Sequence, residues 1–227
     1  MSFLHDFYHL FYPEICLGCG RALFTNEECI CTSCRYHLPQ TGYHLYPSNA
    51  VMKNFWGKVP VSSAAAYLFF NKGEKVQKIL HQLKYRGRHD VGNFLGRLYG
   101  VELKKSPLFD TVEVVVPIPL HPKRKLKRGY NQAEVFANGL AEAMSVQVNT
   151  ISLLRAKHTQ TQTKKNRYSR WLNVEEIFEL SKTESLINKH ILLVDDVVTT
   201  GATLESAVST LLKIPGIKVS IACIASA

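Results

Sequence analysis

The sequence predicts an α/β protein, a parallel sheet flanked by helices on both faces, with a small cysteine-rich module ahead of it. Three observations carry that expectation. Short apolar runs at 64–70, 112–116, 191–194 and 218–225 read as buried strands, without the polar alternation of a half-exposed sheet. Segments with apolar residues at helical spacing separate them, which is the pattern of a sheet covered on both sides. Five of the six cysteines lie between Cys16 and Cys34, so the thiols form a local feature.

Taken in order, Phe3, Leu4, Phe7, Leu10 and Phe11 recur at the spacing of a short amphipathic helix. With the cysteines, this helix makes an N-terminal module over 1–45. Residues 46–60 belong to a Tyr-, Asn-, Gly-, Ser- and Pro-rich stretch without periodicity, read as an irregular surface connector. The main domain is expected over 61–227. Its first strand, 64–70, precedes a helix with Val76, Ile79, Leu80 and Leu83 inward and a second one from about Asp90. The β-branched run 112–116 is stopped by Pro117-Ile118-Pro119, because proline cannot donate to a ladder. Ala133, Phe136, Ala137, Leu140 and Met144 mark a further helix, Leu204, Ala207, Val208 and Leu211 the last one.

The 227 residues are 46% hydrophobic and 20% charged, enough apolar material for one substantial core, which excludes a disordered or fibrous chain. The net charge of +10 favours polyanionic partners: phosphate esters, nucleic acid or an acidic surface. No stretch reaches the roughly 20 apolar residues of a membrane span. The N-terminus lacks the basic start and unbroken apolar core of a secretory signal, so a cytoplasmic protein is expected.

The most informative segment runs from Ile191 through Asp195-Asp196-Val197-Val198-Thr199-Thr200-Gly201-Ala202-Thr203. Four apolar residues bury a strand, two carboxylates emerge at its carboxyl end, and a small-residue loop enters a helix. In an open α/β sheet that end is where ligands bind. Adjacent strand residues point to opposite faces, so the two acids share one role only where the strand has already become loop. Thr199, Thr200, Gly201, Ala202 and Thr203 offer backbone N–H groups, hydroxyls and a helix N-terminus, a cradle for a phosphate. Carboxylates accept hydrogen bonds from ribose hydroxyls, so the string suits a phosphorylated sugar. The plainer alternative is that Asp196 and Thr199 shape a turn and cap the helix. Neither a Walker loop nor a Gly-x-Gly-x-x-Gly loop is present.

Five of the six residues from Lys123 to Arg128 are cationic, in a basic loop just past the strand that ends at Pro117-Ile118-Pro119. Such a run is a solvated face, a nucleic-acid patch, or a place where a substrate's pyrophosphate is neutralised. Residues 155–173 hold Arg155, Lys157, Lys164, Lys165, Arg167 and Arg170 without an acid. They read as a basic lid over a charged ligand or as a solvated hairpin.

Cys16-Leu17-Gly18-Cys19 and Cys31-Thr32-Ser33-Cys34 are two Cys-x-x-Cys turns, which suit a closed tetrahedral zinc site of structural type. Cys29 could replace Cys31, but the second pair would then become Cys-x4-Cys, so Cys31 is preferred. Cytosolic redox chemistry is the alternative use of the thiols. Cys223, in an apolar strand, reads as buried packing.

The string around Asp195 and Asp196 resembles the signature of type I phosphoribosyltransferases, which bind 5-phosphoribosyl 1-pyrophosphate (PRPP). The resemblance implies that Asp195 and Asp196 contact the ribose hydroxyls and that Thr199, Thr200, Gly201, Ala202 and Thr203 hold the 5-phosphate. It also implies that Mg²⁺ accompanies the pyrophosphate, held mainly by substrate oxygens and water. By position, Pro117 and Ile118 resemble the pyrophosphate loop, with Arg124 and Arg128 as candidate contacts. The wider string Arg128-Gly129-Tyr130-Asn131-Gln132, the spacing of Arg155, Thr159, Gln162, Arg167, Arg170 and Asn173, and the cysteine module resemble the ComF/GntX family. That resemblance implies a zinc finger on a phosphoribosyltransferase-like domain, a role in natural competence and DNA uptake, and single-stranded DNA and competence proteins as partners. Transfer of phosphoribosyl to an unknown acceptor would make it an enzyme, whereas a DNA-binding factor would use the pocket only to sense nucleotide or PRPP. The basic-aromatic strings Lys53-Asn54-Phe55-Trp56-Gly57-Lys58 and Lys84-Tyr85-Arg86-Gly87-Arg88 could stack bases, though each also reads as ordinary surface.

Overall fold

The computed structural model describes residues 13–71, 73–155 and 177–227. Five parallel strands form the sheet: β1 (Ala64–Phe69), β2 (Val114–Pro117), β3 (Gln147–Val148), β6 (His190–Val198) and β7 (Lys218–Ser226), in spatial order β1-β7-β6-β2-β3. A separate antiparallel pair joins β4 (Leu153–Arg155) to β5 (Phe178–Leu180). The helices are α1 (Thr32–Tyr36), α2 (Ala50–Lys53), α3 (Lys75–Tyr85), α4 (His89–Lys105), α5 (Pro122–Arg128), α6 (Gln132–Met144) and α7 (Ala202–Leu211).

The expected architecture is present: a parallel sheet with apolar clusters on both faces. Strand alternation distributes them. Tyr67, Val115, Leu192, Val194 and Ala222 join α3, α4 and α6 in one cluster, while Ala66, Val114, Ile191, Leu193 and Ile221 join α7 in the other. The helix with Phe3 and Phe7 lies outside the described residues. The cysteine stretch is set apart by composition only. Cys16, Cys29, Ile30, Cys31 and Cys34 share the first cluster with α3 and α4, and Arg97 of α4 pairs with Glu28.

Three expectations need correction. The basic stretch after β2 is the helix α5, opened by Pro122 with the His121 ring accepting from Lys123 N–H and closed at Gly129, whose φ is 79°. Four of its five cations, Lys123, Arg124, Lys125 and Lys127, are exposed on this short helix, and Arg128 is half-buried. The connector is not irregular surface throughout: Asn49 caps α2, and Val51 and Phe55 are buried against β1 and α7 residues. Finally, β6 does not end at the acids, because its ladder with β7 continues through Val197↔Ala225 and Val198↔Ser226. The two-residue β3 and the β4–β5 pair were not anticipated as strands.

Helices α4 and α6 cross closely because glycines face each other. A Cβ at Gly100 would lie 2.8 Å from Ala143 Cβ, and one at Gly139 would meet the Asn93 carbonyl and lie 2.9 Å from Arg97 N. Gly139→Ala should therefore destabilise the chain by about 1–3 kcal/mol through overpacking, read as a lower urea midpoint at unchanged slope.

At the start of β6, His190 is buried with Nδ1 2.8 Å from Thr111 Oγ1 and Nε2 2.9 Å from Ser220 Oγ. Burial, then the Lys218 charge, holds its pKa below the ordinary value, with Glu113 opposing. The unfolded chain therefore takes up this proton first. Stability from His190 is intact above its unfolded pKa of about 6.5 and is lost as pH falls from there toward the lower folded value. Urea titrations at pH 7.5 and 5.5 should show that loss, and His190→Gln should flatten it.

Candidate functional site

The acid pair sits at the carboxyl end of the central strand. Ile191, Leu192, Leu193 and Val194 are fully buried, and the alternation they establish sends Asp195 toward the α7 face and Asp196 toward the α3 face. The two carboxylates are therefore not equivalent. Asp196 Oδ2 lies 2.9 Å from Lys84 Nζ at the end of α3. Asp195 accepts a 2.8 Å hydrogen bond from Asp196 N–H and sits opposite Cys223 of β7. Burial, then the neighbouring Asp196 charge, pushes Asp195 up to about 7, against the pull of that hydrogen bond, Lys84 and Arg155.

The loop that follows has Thr199, Thr200, Ala202 and Thr203 exposed and Gly201 buried. Gly201 opens α7 in the left-handed region, φ 79°, where a Cβ would lie 3.1 Å from the Phe55 ring. Among the described residues no side chain caps α7, so the first-turn N–H groups can receive an anion. Asn54 Nδ2 donates to Thr199 O at 3.2 Å, and Lys58 Nζ lies 3.6 Å from Glu205. The connector thus forms a wall of the loop. Asn49 was the sequence signal for it, since Asn is a preferred helix cap; its Oδ1 accepts from Val51 and Met52 N–H.

Beside the acids, Pro117 ends β2 opposite Val194, and Ile118 N–H donates to Val194 O at 2.9 Å. Much of the string 128–132 serves to hold this turn. Asn131 Nδ2 donates to Ile118 O at 2.9 Å while its Oδ1 caps α6. Tyr130 OH donates to Leu83 O, and its ring stacks on His89. Arg128 donates to Gln132 at 2.7 Å and lies over the Tyr85 ring at 5.4 Å, leaving further guanidinium donors. Arg124 is exposed on α5. Arg155 lies over Phe178; burial, then Arg124, pushes its pKa down, and Asp195 opposes. A cavity of about 320 Å³ beside this turn is lined by Pro117, Pro119, Lys125, Asn131, Leu154 and Arg155. Arg167, Arg170, Thr159, Gln162 and Asn173 lie outside the described residues.

The sheet edge therefore collects Asp195, Asp196, Thr199, Thr200, Gly201, Ala202, Thr203, Pro117, Ile118, Arg128 and Arg155, with Arg124 on the adjoining helix. It adds Lys84, Asn54 and Phe55, which sequence reasoning had placed only in basic-aromatic patches. Carboxylates, an uncapped helix end and flanking cations can together receive a ligand bearing hydroxyls at its centre and phosphates at its ends.

Residues 131–227 match the family model of the phosphoribosyl transferase domain. Competence protein ComFC of Streptococcus pneumoniae is 30% identical over 214 residues, which cover 84% of this chain and 90% of that one. The chain belongs to the ComF family. Competence protein F of Haemophilus influenzae is 28% identical over 149 residues, covering 64% of this chain and 65% of that one. DNA utilization protein YhgH of Escherichia coli K12 is 26% identical over 213 residues, covering 92% and 89%.

In this ComF-family chain the sulfurs of Cys16, Cys19, Cys31 and Cys34 lie within 4.8 Å of one another, and this set could bind a metal such as zinc. A tetrahedral zinc–thiolate site has sulfurs roughly 3.8 Å apart, given Zn–S distances of about 2.3 Å, and Cys19 and Cys31 Sγ are 3.7 Å apart. Two backbone donors fit the sulfurs: Cys31 N–H to Cys16 Sγ at 3.2 Å and Cys34 N–H to Cys31 Sγ at 3.4 Å. A Cβ at Gly18 would lie 3.0 Å from Cys34 Sγ, so the first turn needs glycine there. Cys29 is outside the set. Its carbonyl accepts from Leu17 N–H, and burial pushes its thiol up to about 12. Because three of these four cysteines are part of the main core, removal of a metal held there should reach beyond the module. Chelation of the purified protein should release about one equivalent of zinc and lower Tm by about 4–8 °C, the shift for roughly 2 kcal/mol in a chain of this length.

Proposed function

We propose that the chain binds PRPP, or a closely related phosphorylated ribose, at the carboxyl edge of β6 and transfers its phosphoribosyl group to an acceptor with release of pyrophosphate. The observation that carries this reading is the junction of the acid pair with the uncapped start of α7. In it, the N–H groups and hydroxyls of Thr199, Thr200, Ala202 and Thr203 take the 5-phosphate, with Gly201 providing the turn. Asp196 Oδ2 meets Lys84 while its Oδ1, without a partner among the described residues, takes a ribose hydroxyl, and Asp195 serves the other hydroxyl. The Pro117-Ile118 turn with Arg128, Arg155 and Arg124 faces the pyrophosphate, and Arg167, outside the described residues, is taken as a further contact from its place in the sequence alone.

Among the described residues the two acids do not form an all-protein Mg²⁺ cage: Asp195 is half-buried opposite Cys223 and Asp196 is paired to Lys84. A Mg²⁺ ion brought with the substrate would be held mainly by pyrophosphate oxygens and water, and would supply charge neutralisation there. The acceptor attacks the anomeric carbon as its bond to pyrophosphate breaks. The chain contributes positioning and electrostatic stabilisation, and no protein nucleophile is required.

The relatives' names, competence protein and DNA utilization protein, support a place in natural competence or DNA use. We take Cys16, Cys19, Cys31 and Cys34 as a structural zinc finger on a cytoplasmic protein. A second reading, binding of single-stranded DNA with the pocket used only for sensing, is favoured by α5. Lys123, Arg124, Lys125 and Lys127 are exposed there, and none has a carboxylate partner among the described residues. Pyrophosphate release from PRPP with a panel of bases, ammonia and oligonucleotides separates transfer from sensing.

Calorimetry with Mg²⁺ and PRPP tests the common ground of both readings. Wild-type protein should bind, and Asp195→Asn combined with Asp196→Asn should weaken Kd by roughly a hundredfold or more, since hydrogen bonds to charged groups contribute about 1.5–3 kcal/mol each. Wild-type protein that takes up no PRPP would remove the reading.

A further inference from the structure

Lys84 is fixed before it meets Asp196. Val76, Ile79, Leu80 and Leu83 bury one face of α3, and the Leu83 carbonyl accepts the Tyr130 hydroxyl, so the turn that carries Lys84 is tied down on both sides. The Lys84 and Asp196 side chains are 24% and 18% exposed. A pair sheltered to that degree gives up hydration on both partners, and that loss is recovered only with good geometry, so it is weak as a device for stability alone. Its setting supplies the reason. Two carboxylates on consecutive residues in a poorly hydrated place repel each other and favour holding a proton between them. A cation on one of them decides which is the carboxylate and where its oxygens point.

We propose that Lys84 is a positioning residue of the ribose site, holding Asp196 as an oriented carboxylate whose Oδ1 is left to accept a ligand hydroxyl. This role rests on the reading of the β6 edge as a phosphorylated-ribose site. Among the described residues Asp196 Oδ1 has no hydrogen-bond partner, while Oδ2 is occupied by the ammonium at 2.9 Å. Among the described residues the groups that face the acid pair are Lys84 from α3, Arg155 from β4 and Cys223 from β7, the last kept neutral by burial. Both cations draw Asp195 downward. Without Lys84 Asp195 moves further up, so more of the site carries a proton at neutral pH, and raising the pH restores the charge.

The test is calorimetric titration of the full chain with ribose 5-phosphate and with Mg²⁺ and PRPP at pH 7.0 and 8.5. Lys84→Met should bind about tenfold more weakly than wild type at pH 7.0, as for a one-unit displacement, and recover to within about threefold at pH 8.5. Lys84→Arg should stay within about threefold of wild type at both. Carboxyl ¹³C NMR of ligand-free protein gives a second reading, with the acid-pair titration displaced upward in Lys84→Met and unmoved in Lys84→Arg. Binding by Lys84→Met equal to wild type at pH 7.0, or an equal loss at both pH values with an unmoved titration, overturns the role of Lys84 while leaving the ribose site standing. Wild-type protein that binds neither ligand overturns the ribose site and this role with it.

Discussion

The molecule is organised by the burial of its central strand. β6 is hydrogen-bonded to β2 on one side and β7 on the other, and both of its faces are covered. A strand in that position can carry charge only where the covering layers end. The change from Val194 to Asp195 marks that limit, and the small-residue loop begins a few residues later, at Thr199. Because the ladder persists beside the acids, they inherit the strand's alternation, and each is tuned by a different layer. One meets Lys84 across the α3 face, while the other is influenced by Arg155 from the short antiparallel pair.

The cysteine module obeys the same economy of burial. Its residues contribute to the cluster beneath α3 and α4, so the cysteine turns and the sheet help exclude water from one another. The glycine-lined crossing of α4 and α6 lets those two helices approach closely, and the last turn of α3 sets Lys84 against Asp196.

What could be read from the sequence was what depends on local pattern. Apolar runs without alternation announced β1, β2, β6 and β7, and apolar periodicity announced α3, α4, α6 and α7. The spacing of the cysteines selected the four that converge and left Cys29 aside. What escaped was set by tertiary context. The helix α5 was masked by its charge run, although Pro122 and the His121 cap were visible signals. The two residues of β3 are a strand only because β2 lies beside them. The contact of Lys84 with Asp196 depends on where α3 crosses the sheet, and that of Asn54 with Thr199 on a connector folding back over a distant loop. The acids and threonines were legible, whereas their partners from other parts of the chain were not.

The strand order also constrains how the chain can be made. β1 pairs with β7 and β2 with β6, so during synthesis the first strands emerge long before their neighbours. Until the last quarter of the polypeptide leaves the ribosome, the sheet lacks its middle: β1 has no partner and β2 has only the two-residue β3 on one side. Topologies dominated by such remote pairings fold slowly and expose sticky intermediates. A nascent chain of this kind is a natural client for chaperones, and the pocket is completed among the final events of its maturation.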